Sequence, residues 1–362
     1  MPHFDIIKQS APSESFRVKS VMGSYDMTAA HTQEHFVGDL DLPAEWNVGL
    51  IVGRSGTGKT TIARELFGDR IINGYDWTHE SILDDMPADA TVQEICQALT
   101  SVGFASPPSW MKPYSVLSNG EKMRCDLARA ILEKRDLFVF DEFTSVVDRN
   151  VAQIGSLAMQ KAIRRHNQRF IAVTCHADVA PWLMPDWIFN TDTMTFELCD
   201  RAEQKKNRPA INLDIYETKR RDEYWAVFRK YHYLNHGLNP VARTFVAYAN
   251  GHLAGFTSVL PFPHPIVKNV WRFHRTVVLP DYQGVGIATA IRNAVAEDYW
   301  KHGITMRTTT SNRAMIESMR NSPNWICTSI GRKTTHCGTK NIKTQSGARI
   351  TGSFEYVGQN GR

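Results

Sequence analysis

Val48-Gly49-Leu50-Ile51-Val52 is an apolar run of strand length, and Gly53-Arg54-Ser55-Gly56-Thr57-Gly58-Lys59-Thr60 follows it without a gap. A helical stretch, residues 61–67, comes next. This order constrains the fold strongly, because strand, glycine-rich turn and helix start must lie in line. The glycines let successive backbone N–H groups turn toward phosphate oxygens, and the helix start adds partial positive charge. The pattern G-x-x-x-x-G-K-S/T predicts a phosphate cradle built from Gly53, Ser55, Gly56, Thr57, Gly58, Lys59, Thr60 and Thr61. Lys59 is expected to reach the β- and γ-phosphates, and the Thr60 hydroxyl to ligate Mg2+.

Three further features fall in register with that cradle. Residues 137–140 read as a second apolar strand ending in Asp141-Glu142, where one carboxylate can join the Mg2+ shell and the next can polarise the attacking water. Upstream, Leu117-Ser118-Asn119-Gly120-Glu121-Lys122 opens a segment with Met123, Leu127, Ala130 and Ile131 at helical spacing, so Ser118 and Gly120 form another anion site at a helix start. Residues 170–174 read as a third strand leading into Cys175-His176.

In this order the features resemble the ABC-type ATPase family, over residues 20–200. The resemblance implies that residues 53–60 are the Walker A loop binding ATP, and that residues 117–121 correspond to the LSGGQ signature. It makes Asp141-Glu142 Walker B with Glu142 as catalytic glutamate, residues 145–148 the D-loop, and His176 the switch histidine. Two copies of this family meet head to tail, which implies a homodimer through the ATPase domain. Tyr25 is the expected adenine-stacking aromatic, with Phe36 behind it. Asn119 and Glu121 depart from the usual signature in the manner of soluble family members that act on nucleic acid. Phe143 stands where proline is common, and Lys59 and Ser118 lie close in sequence. No Q-loop glutamine is evident, leaving His79 or Glu80 for that place; this weakens any link to a transporter's membrane domain, and none is expected in this chain.

The chain has 362 residues, more than one ordinary core needs and enough for two. No run approaches the roughly 18 apolar residues of a spanning helix, and no basic stretch followed by an apolar one opens the chain, so secreted and membrane-embedded readings are set aside. Six cysteines (Cys96, Cys125, Cys175, Cys199, Cys327, Cys337) lack a C-x-x-C pair, which points to free thiols in a reducing, cytoplasmic setting. The net charge of +5 conceals a division. Residues 1–200 hold 18 Lys and Arg against 27 Asp and Glu; residues 201–362 hold 24 against 10. The second part is expected to meet something anionic, with nucleic acid the favoured partner.

Residues 200–209 are polar and strand-breaking, placing a linker near residue 205. Residues 211–216 then alternate like a strand, and 222–231 have helical spacing. Residues 244–248 and 253–259 read as a hairpin closed by Asn250-Gly251, since both residues tolerate positive φ. A long strand, 271–279, runs into Gln283-Gly284-Val285-Gly286-Ile287-Ala288 and a helix with Ile287, Ile291, Ala294 and Tyr299 on its apolar face. This is a second strand, glycine turn and helix start: another anion cradle.

The order of elements over residues 210–357 resembles the GNAT acyltransferase family. Gln283, Gly286 and Ala288 match its R/Q-x-x-G-x-G/A turn, which implies that residues 283–288 bind the pyrophosphate of acetyl-CoA or another acyl-CoA. Backbone of Val277 and Leu279 is then expected along the pantetheine arm. The family's acid tyrosine would fall near Met319, so the acid and base stay open among His274, His232 and Tyr233. The Tyr231-His232-Tyr233-Leu234 run also resembles GNAT-like phage proteins, some of which modify DNA adenine. Basic residues (Lys205, Lys206, Arg208, Lys219, Arg220, Arg221, Arg332, Lys333, Lys340, Lys343, Arg349) and the aromatics Trp325 and Tyr356 are further candidates for nucleic-acid contact; for the two aromatics, core packing is the stronger expectation.

The expected fold is α/β: a P-loop ABC-type ATPase domain, residues 1–205, followed by a GNAT α+β domain with a mixed central sheet, residues 206–362. As a whole the arrangement resembles ABC-type ATPases fused to a predicted acetyltransferase. The leading expectation is ATP-dependent acyl transfer to nucleic acid. The alternatives are a non-catalytic nucleic-acid clamp, or an ATP-regulated N-acetyltransferase of small molecules or proteins.

Overall fold

The computed structural model describes residues 3–9, 13–27, 33–233, 237–263, 266–332 and 350–359. The chain forms two compact units. One comprises Met1–Trp77, Met86–Ala98 and Lys122–Pro209; the other comprises Thr78–Asp85, Leu99–Glu121 and Ala210–Arg362. Among the described residues no helix is long and apolar enough to cross a membrane.

In the first unit, β1 (His3–Gln9) and β2 (Gln33–Asp39) form an antiparallel pair. The main sheet contains β3 (Val48–Val52), β4 (Ile71–Ile72), β5 (Leu137–Phe140), β6 (Arg169–Thr174), β7 (Trp187–Asn190) and β8 (Thr195–Leu198), in the order β4-β5-β6-β3-β7-β8. Every neighbouring pair is parallel except β7 and β8. Parallel strands carry helices on both faces, so their residues are buried on both sides and read as unbroken apolar runs. All five residues of β3 and all four of β5 are buried. Helix Lys59–Phe67 packs Ile62, Ala63 and Phe67 into the same core as Ile51, Val139, Ile171 and Trp187.

Residues 200–209 differ from the irregular linker expected. Arg201–Asn207 is helical, with the Asp200 carboxylate accepting the Ala202 N–H at 2.7 Å. Asp200 caps the start, Glu203 lies in the first turn and Lys205 and Lys206 in the last, an arrangement that suits the helix dipole. Polarity along the segment reflects an exposed helix, with only Gln204 half-buried where its Nε2 donates to the Pro185 carbonyl.

The second unit holds a seven-stranded sheet: β9 (Leu213–Thr218), β10 (Arg243–Ala249), β11 (His252–Pro261), β12 (Val270–Val278), β13 (Thr305–Thr310), β14 (Trp325–Arg332) and β15 (Ile350–Tyr356). Their order is β14-β15-β13-β12-β11-β10-β9, and only β12 and β13 run parallel. The β10–β11 hairpin turns at Asn250 (φ 50°) and Gly251 (φ 82°), as its dipeptide predicts. Helices Ile287–Lys301 and Arg313–Arg320 cover one face through Val295, Tyr299, Ile316 and Met319; helix Arg221–Phe228 covers the other through Trp225 and Phe228. The buried stripe of helix Ile287–Lys301 uses Val295 and Ala296, and the expected Ala294 faces out.

Trp325 and Tyr356 are core residues, 3% and 2% exposed, packed edge to face at 5.0 Å. Neither is available to stack on a base.

Candidate functional site

The glycine-rich loop of residues 53–58 joins β3 to helix Lys59–Phe67. Gly58 is the N-cap in the left-handed region (φ 84°, ψ 5°), where an L side chain is strained. A Cβ there would also lie 2.6 Å from the Phe36 ring. Phe36, on β2, therefore presses against the loop, whereas Tyr25 ends helix Phe16–Ser24 and is 75% exposed. Lys59 is buried and its Nζ donates to the Arg54 carbonyl at 2.7 Å. Thr57 Oγ1 meets Thr191 Oγ1 at 2.6 Å, and the Arg54 backbone N–H and Nε donate to Asp192, tying the loop to the end of β7. Ser55 and Gly56 are exposed; Thr60 and Thr61 are half-buried. The loop offers backbone N–H groups of the helix's first turn, which have no intrahelical partner, so it fits an anion.

Thr60 Oγ1 donates to Asp141 Oδ1 at 3.2 Å, bringing the hydroxyl and carboxylate expected at Mg2+ together at the end of β5. This all-oxygen pair suits a hard cation. The Glu142 N–H donates to the same Asp141 oxygen at 2.9 Å, and Ser145 Oγ donates to Glu142 Oε2 at 2.6 Å. Glu142 (φ 55°) and Thr144 (φ 66°) both adopt positive φ, a strain that clusters at functional sites. His176 follows β6; its N–H donates to Thr174 Oγ1 at 3.1 Å, and its buried Nδ1 has no hydrogen-bond partner among the described residues.

Ser118 and Glu121 satisfy one another at the start of helix Asn119–Leu132. The Glu121 N–H donates to Ser118 Oγ at 3.3 Å, and the Ser118 N–H donates to Glu121 Oε2 at 3.0 Å. This is the capping-box exchange, which explains physically why glutamate can stand where the signature usually has glutamine. Gly120 is buried within the same turn. His79 Nδ1 lies 2.6 Å from Asp85 Oδ1, and this hydrogen bond and charge raise the histidine's pKa.

In the second unit, the turn after β12 repeats the loop geometry. Gly284 has φ 82°, and Gly286 is the N-cap of helix Ile287–Lys301 at φ 100°, ψ 6°. Both glycines are exposed, and a Cβ on Gly286 would meet nothing within 4 Å. Val285 and Ala288 are half-buried, Ile287 buried. Gln283 is clamped: its Nε2 donates to the Val278 carbonyl at 2.8 Å and its Oε1 accepts the Ala105 N–H at 2.6 Å. The open cradle fits a diphosphate.

Beside the turn, β12 separates from β13. Their pairing covers Val270–Thr305, Trp271–Met306 and Arg272–Arg307, and stops there. From Phe273 to Val278, including Val277, β12 has no ladder on that side, leaving main-chain groups for an extended ligand arm; Leu279 follows the strand, and its N–H donates to the Ala254 carbonyl at 2.9 Å. The β11–β12 register shifts between Ser258 and Val259, passing over His274, which is the extra residue of a bulge. Its Nε2 accepts the Asn239 N–H at 3.3 Å. Burial, helped by the charges of Arg275 and Arg272, pushes its pKa down to about 4, so it is neutral at pH 7. His232 is buried against Trp225 and stacks on Tyr233 at 5.2 Å. The Tyr233 hydroxyl accepts from Ser311 Oγ at 3.4 Å. Met319, at the expected place of the acid, is 1% exposed and lies 3.9 Å from Arg292 Nη1.

Ala105, Arg275 and Arg292 escaped the sequence reading. Arg292 carried a usable signal: it lies on the stripe defined by Ile287, Ile291 and Val295, where a charge is out of place. Of the basic residues, Lys205, Lys206, Arg208, Lys219 and Arg220 are exposed, Arg220 pairing with Glu223 and Arg221 with Asp222. Leu234, Cys337, Lys333, Lys340, Lys343 and Arg349 lie outside the described residues, as does the side chain of Arg332.

The family model described as Acetyltransferase (GNAT) family matches residues 208–320. The mRNA export factor elf1 of Schizosaccharomyces pombe is 32% identical over 155 residues, covering 34% of this chain and 14% of that protein. An uncharacterized ABC transporter ATP-binding protein of Haemophilus influenzae is 33% identical over 138 residues, covering 30% and 55%. The ribosome protection protein VmlR of Bacillus subtilis is 27% identical over 118 residues, covering 27% and 21%. The matches thus span at most about half of these three relatives' lengths.

Proposed function

We propose that this chain, which joins an ABC-type ATP-binding part to a GNAT-family acetyltransferase domain, hydrolyses ATP as a cytoplasmic homodimer and moves an acyl group from acetyl-CoA, or another acyl-CoA, to a nitrogen of nucleic acid. One observation carries the reading. Two glycine turns on one polypeptide share a backbone solution, with Gly58 and Gly286 each capping a helix at similar positive φ and near-zero ψ.

In the ATPase part, Lys59 and the loop amides hold the phosphates, Thr60 and Asp141 hold Mg2+, Glu142 takes the proton of the attacking water and His176 contacts the γ-phosphate. Bound Mg2+ supplies charge neutralisation at the phosphates. Tyr25 stacks on adenine; Phe36, buried in the core against Gly58, is not available for that role. Ser118 and Gly120 of one copy close over the ATP of the other. In the transferase part, residues 283–288 bind the diphosphate, with Val277 and Leu279 along the carrier arm. The acceptor nitrogen must lose a proton and the leaving thiolate must gain one. Tyr233 is assigned the donor role, supported by its exposed ring and the hydrogen bond between its hydroxyl and Ser311 Oγ. His274 and His232 are assigned to orienting the acceptor, since His274 is too weak a base at pH 7 to hold a proton.

The nucleic-acid acceptor is supported by the basic excess of residues 201–362 and by relatives whose names place them with mRNA and the ribosome. A second reading, a non-catalytic nucleic-acid clamp, draws on the buried Met319. Incubating the full chain with labelled acetyl-CoA, ATP and either RNA or DNA separates them. Label in nucleic acid supports transfer, whereas salt-sensitive binding without label supports the clamp. Label only in free amines or protein supports an ATP-regulated N-acetyltransferase of those acceptors.

A further inference from the structure

Among the described residues Arg292 is a charge without a carboxylate partner. It projects from helix Ile287–Lys301 and is 7% exposed. Among the described residues its partners are the Thr276 hydroxyl, 3.2 Å from Nε, the Met319 sulfur, 3.9 Å from Nη1, and the Phe273 ring, 5.4 Å from the guanidinium carbon. No carboxylate pairs with it, and residues 1–2, 10–12, 28–32, 234–236, 264–265, 333–349 and 360–362 contain no Asp or Glu. Some guanidiniums of the unit do meet carboxylates, Arg243 Nη2 lying 2.6 Å from Glu217 and Arg307 Nε 2.8 Å from Glu355, whereas the half-buried Arg275 donates to the Gly237 carbonyl; Arg292 is the more deeply buried of the two.

Removing a guanidinium from water without an anion is costly, and a ring contact with one hydroxyl recovers only a fraction of that cost. Burial accordingly pulls the Arg292 pKa down to about 10. A residue kept in that position at such a cost is explained by an anion that arrives with a ligand. Its location says which kind. Thr276 belongs to the stretch of β12 beyond the last β13 pairing, so Arg292 borders the opened edge of the sheet. It lies six residues beyond Gly286, about 9 Å along the helix from the cradle, so it is separate from the diphosphate position. A planar fork favours a two-oxygen monoanion, whose single charge balances its own.

We infer that Arg292 forms a buried subsite for a carboxylate, carried either by the transferred acyl group or by a small acceptor, at the inner end of the opened β12 edge. The inference rests on the transferase reading; a carboxylate on the donor leaves its nucleic-acid acceptor in place, and one on the acceptor selects the small-molecule acceptor instead.

Calorimetry on the full chain tests it in two arms. Titration with succinyl-CoA against butyryl-CoA, equal in carbon number, reads a carboxylate on the donor. Titration of the acetyl-CoA-saturated chain with glycine against glycinamide reads one on the acceptor. In one arm the carboxylate ligand should bind at least about tenfold more tightly. Arg292→Met should erase that ratio and Arg292→Lys should retain part of it. The absence of a carboxylate preference in both arms overturns the subsite, and so does a preference that survives Arg292→Met. The wild-type ratios decide the matter even if a variant does not fold. Failure of the wild type to take up acetyl-CoA overturns the transferase reading itself; uptake without any carboxylate preference overturns the subsite alone.

Discussion

Gln283 Oε1 accepts the backbone N–H of Ala105 at 2.6 Å, across 178 residues of sequence. The same amide donates to Val278, so both its ends are fixed. Ala105 belongs to the segment Leu99–Glu121, which also carries Ser118 and Gly120 and groups with residues 210–362. Helix Pro107–Trp110 of that segment lies against the turn Arg229–Tyr231 that leads to His232 and Tyr233.

Gln283→Glu keeps an acceptor for Ala105 but loses the donor to Val278 and adds negative charge beside an anion cradle. Acetyl-CoA affinity should fall about tenfold or more, as expected for a charged hydrogen-bond mismatch. Ala105→Pro, which deletes the N–H, should weaken the same binding more mildly. Calorimetry on the full chain reads both; unchanged affinity in Gln283→Glu would remove the turn from the carrier site.

Gly286→Ala separates backbone strain from crowding, because its Cβ meets no neighbour. The left-handed backbone should cost about 1–2 kcal/mol, lowering the thermal midpoint by several degrees. Acetyl-CoA binding should fall beyond what that loss explains, since the methyl enters the open cradle. Equal binding with a lowered midpoint would leave the turn a structural feature only.

Glu142→Gln should cut ATP turnover by about a hundredfold or more if Glu142 is the base, while an ATP-held dimer accumulates in light scattering. Lys59→Ala should instead abolish ATP binding with little change in the unfolding midpoint. Wild-type turnover in Glu142→Gln would move the base elsewhere.

His274 ties pH to stability. Its pKa falls from 6.5 to about 4 on folding, because burial and two arginine charges disfavour the protonated ring. Between those values the unfolded chain binds the extra proton, so this contribution is complete above about pH 6.5 and is lost as pH falls toward 4. Thermal melts from pH 7 to pH 4 should show that decline, and His274→Gln should flatten it. A parallel decline in the variant would assign the effect to other groups.

Glycine placement made both cradles legible, since Gly58 and Gly286 announce a local backbone requirement that no distant contact has to supply. Strands β3, β5 and β6 were legible for a related reason: burial on two faces leaves an unbroken apolar run. Arg292 went unread because a single arginine in a helical pattern passes for a solvated residue, although its place on the stripe of Ile287, Ile291 and Val295 marked it as a charge on the buried face. The Ala105–Gln283 bond was out of reach altogether, as it uses a backbone donor that has no residue code. Helix Arg201–Asn207 was missed by weighing polarity above the capping and charge order of its ends.

Because Thr78–Asp85 and Leu99–Glu121 group with the C-terminal strands, the two halves interleave along the chain. An acyltransferase excised at residue 208 would retain the whole family match and still leave the Gln283 amide oxygen bare. Hybrids that exchange one half between related chains would need several coordinated junctions; a single splice would break the clamp on the turn they set out to transplant.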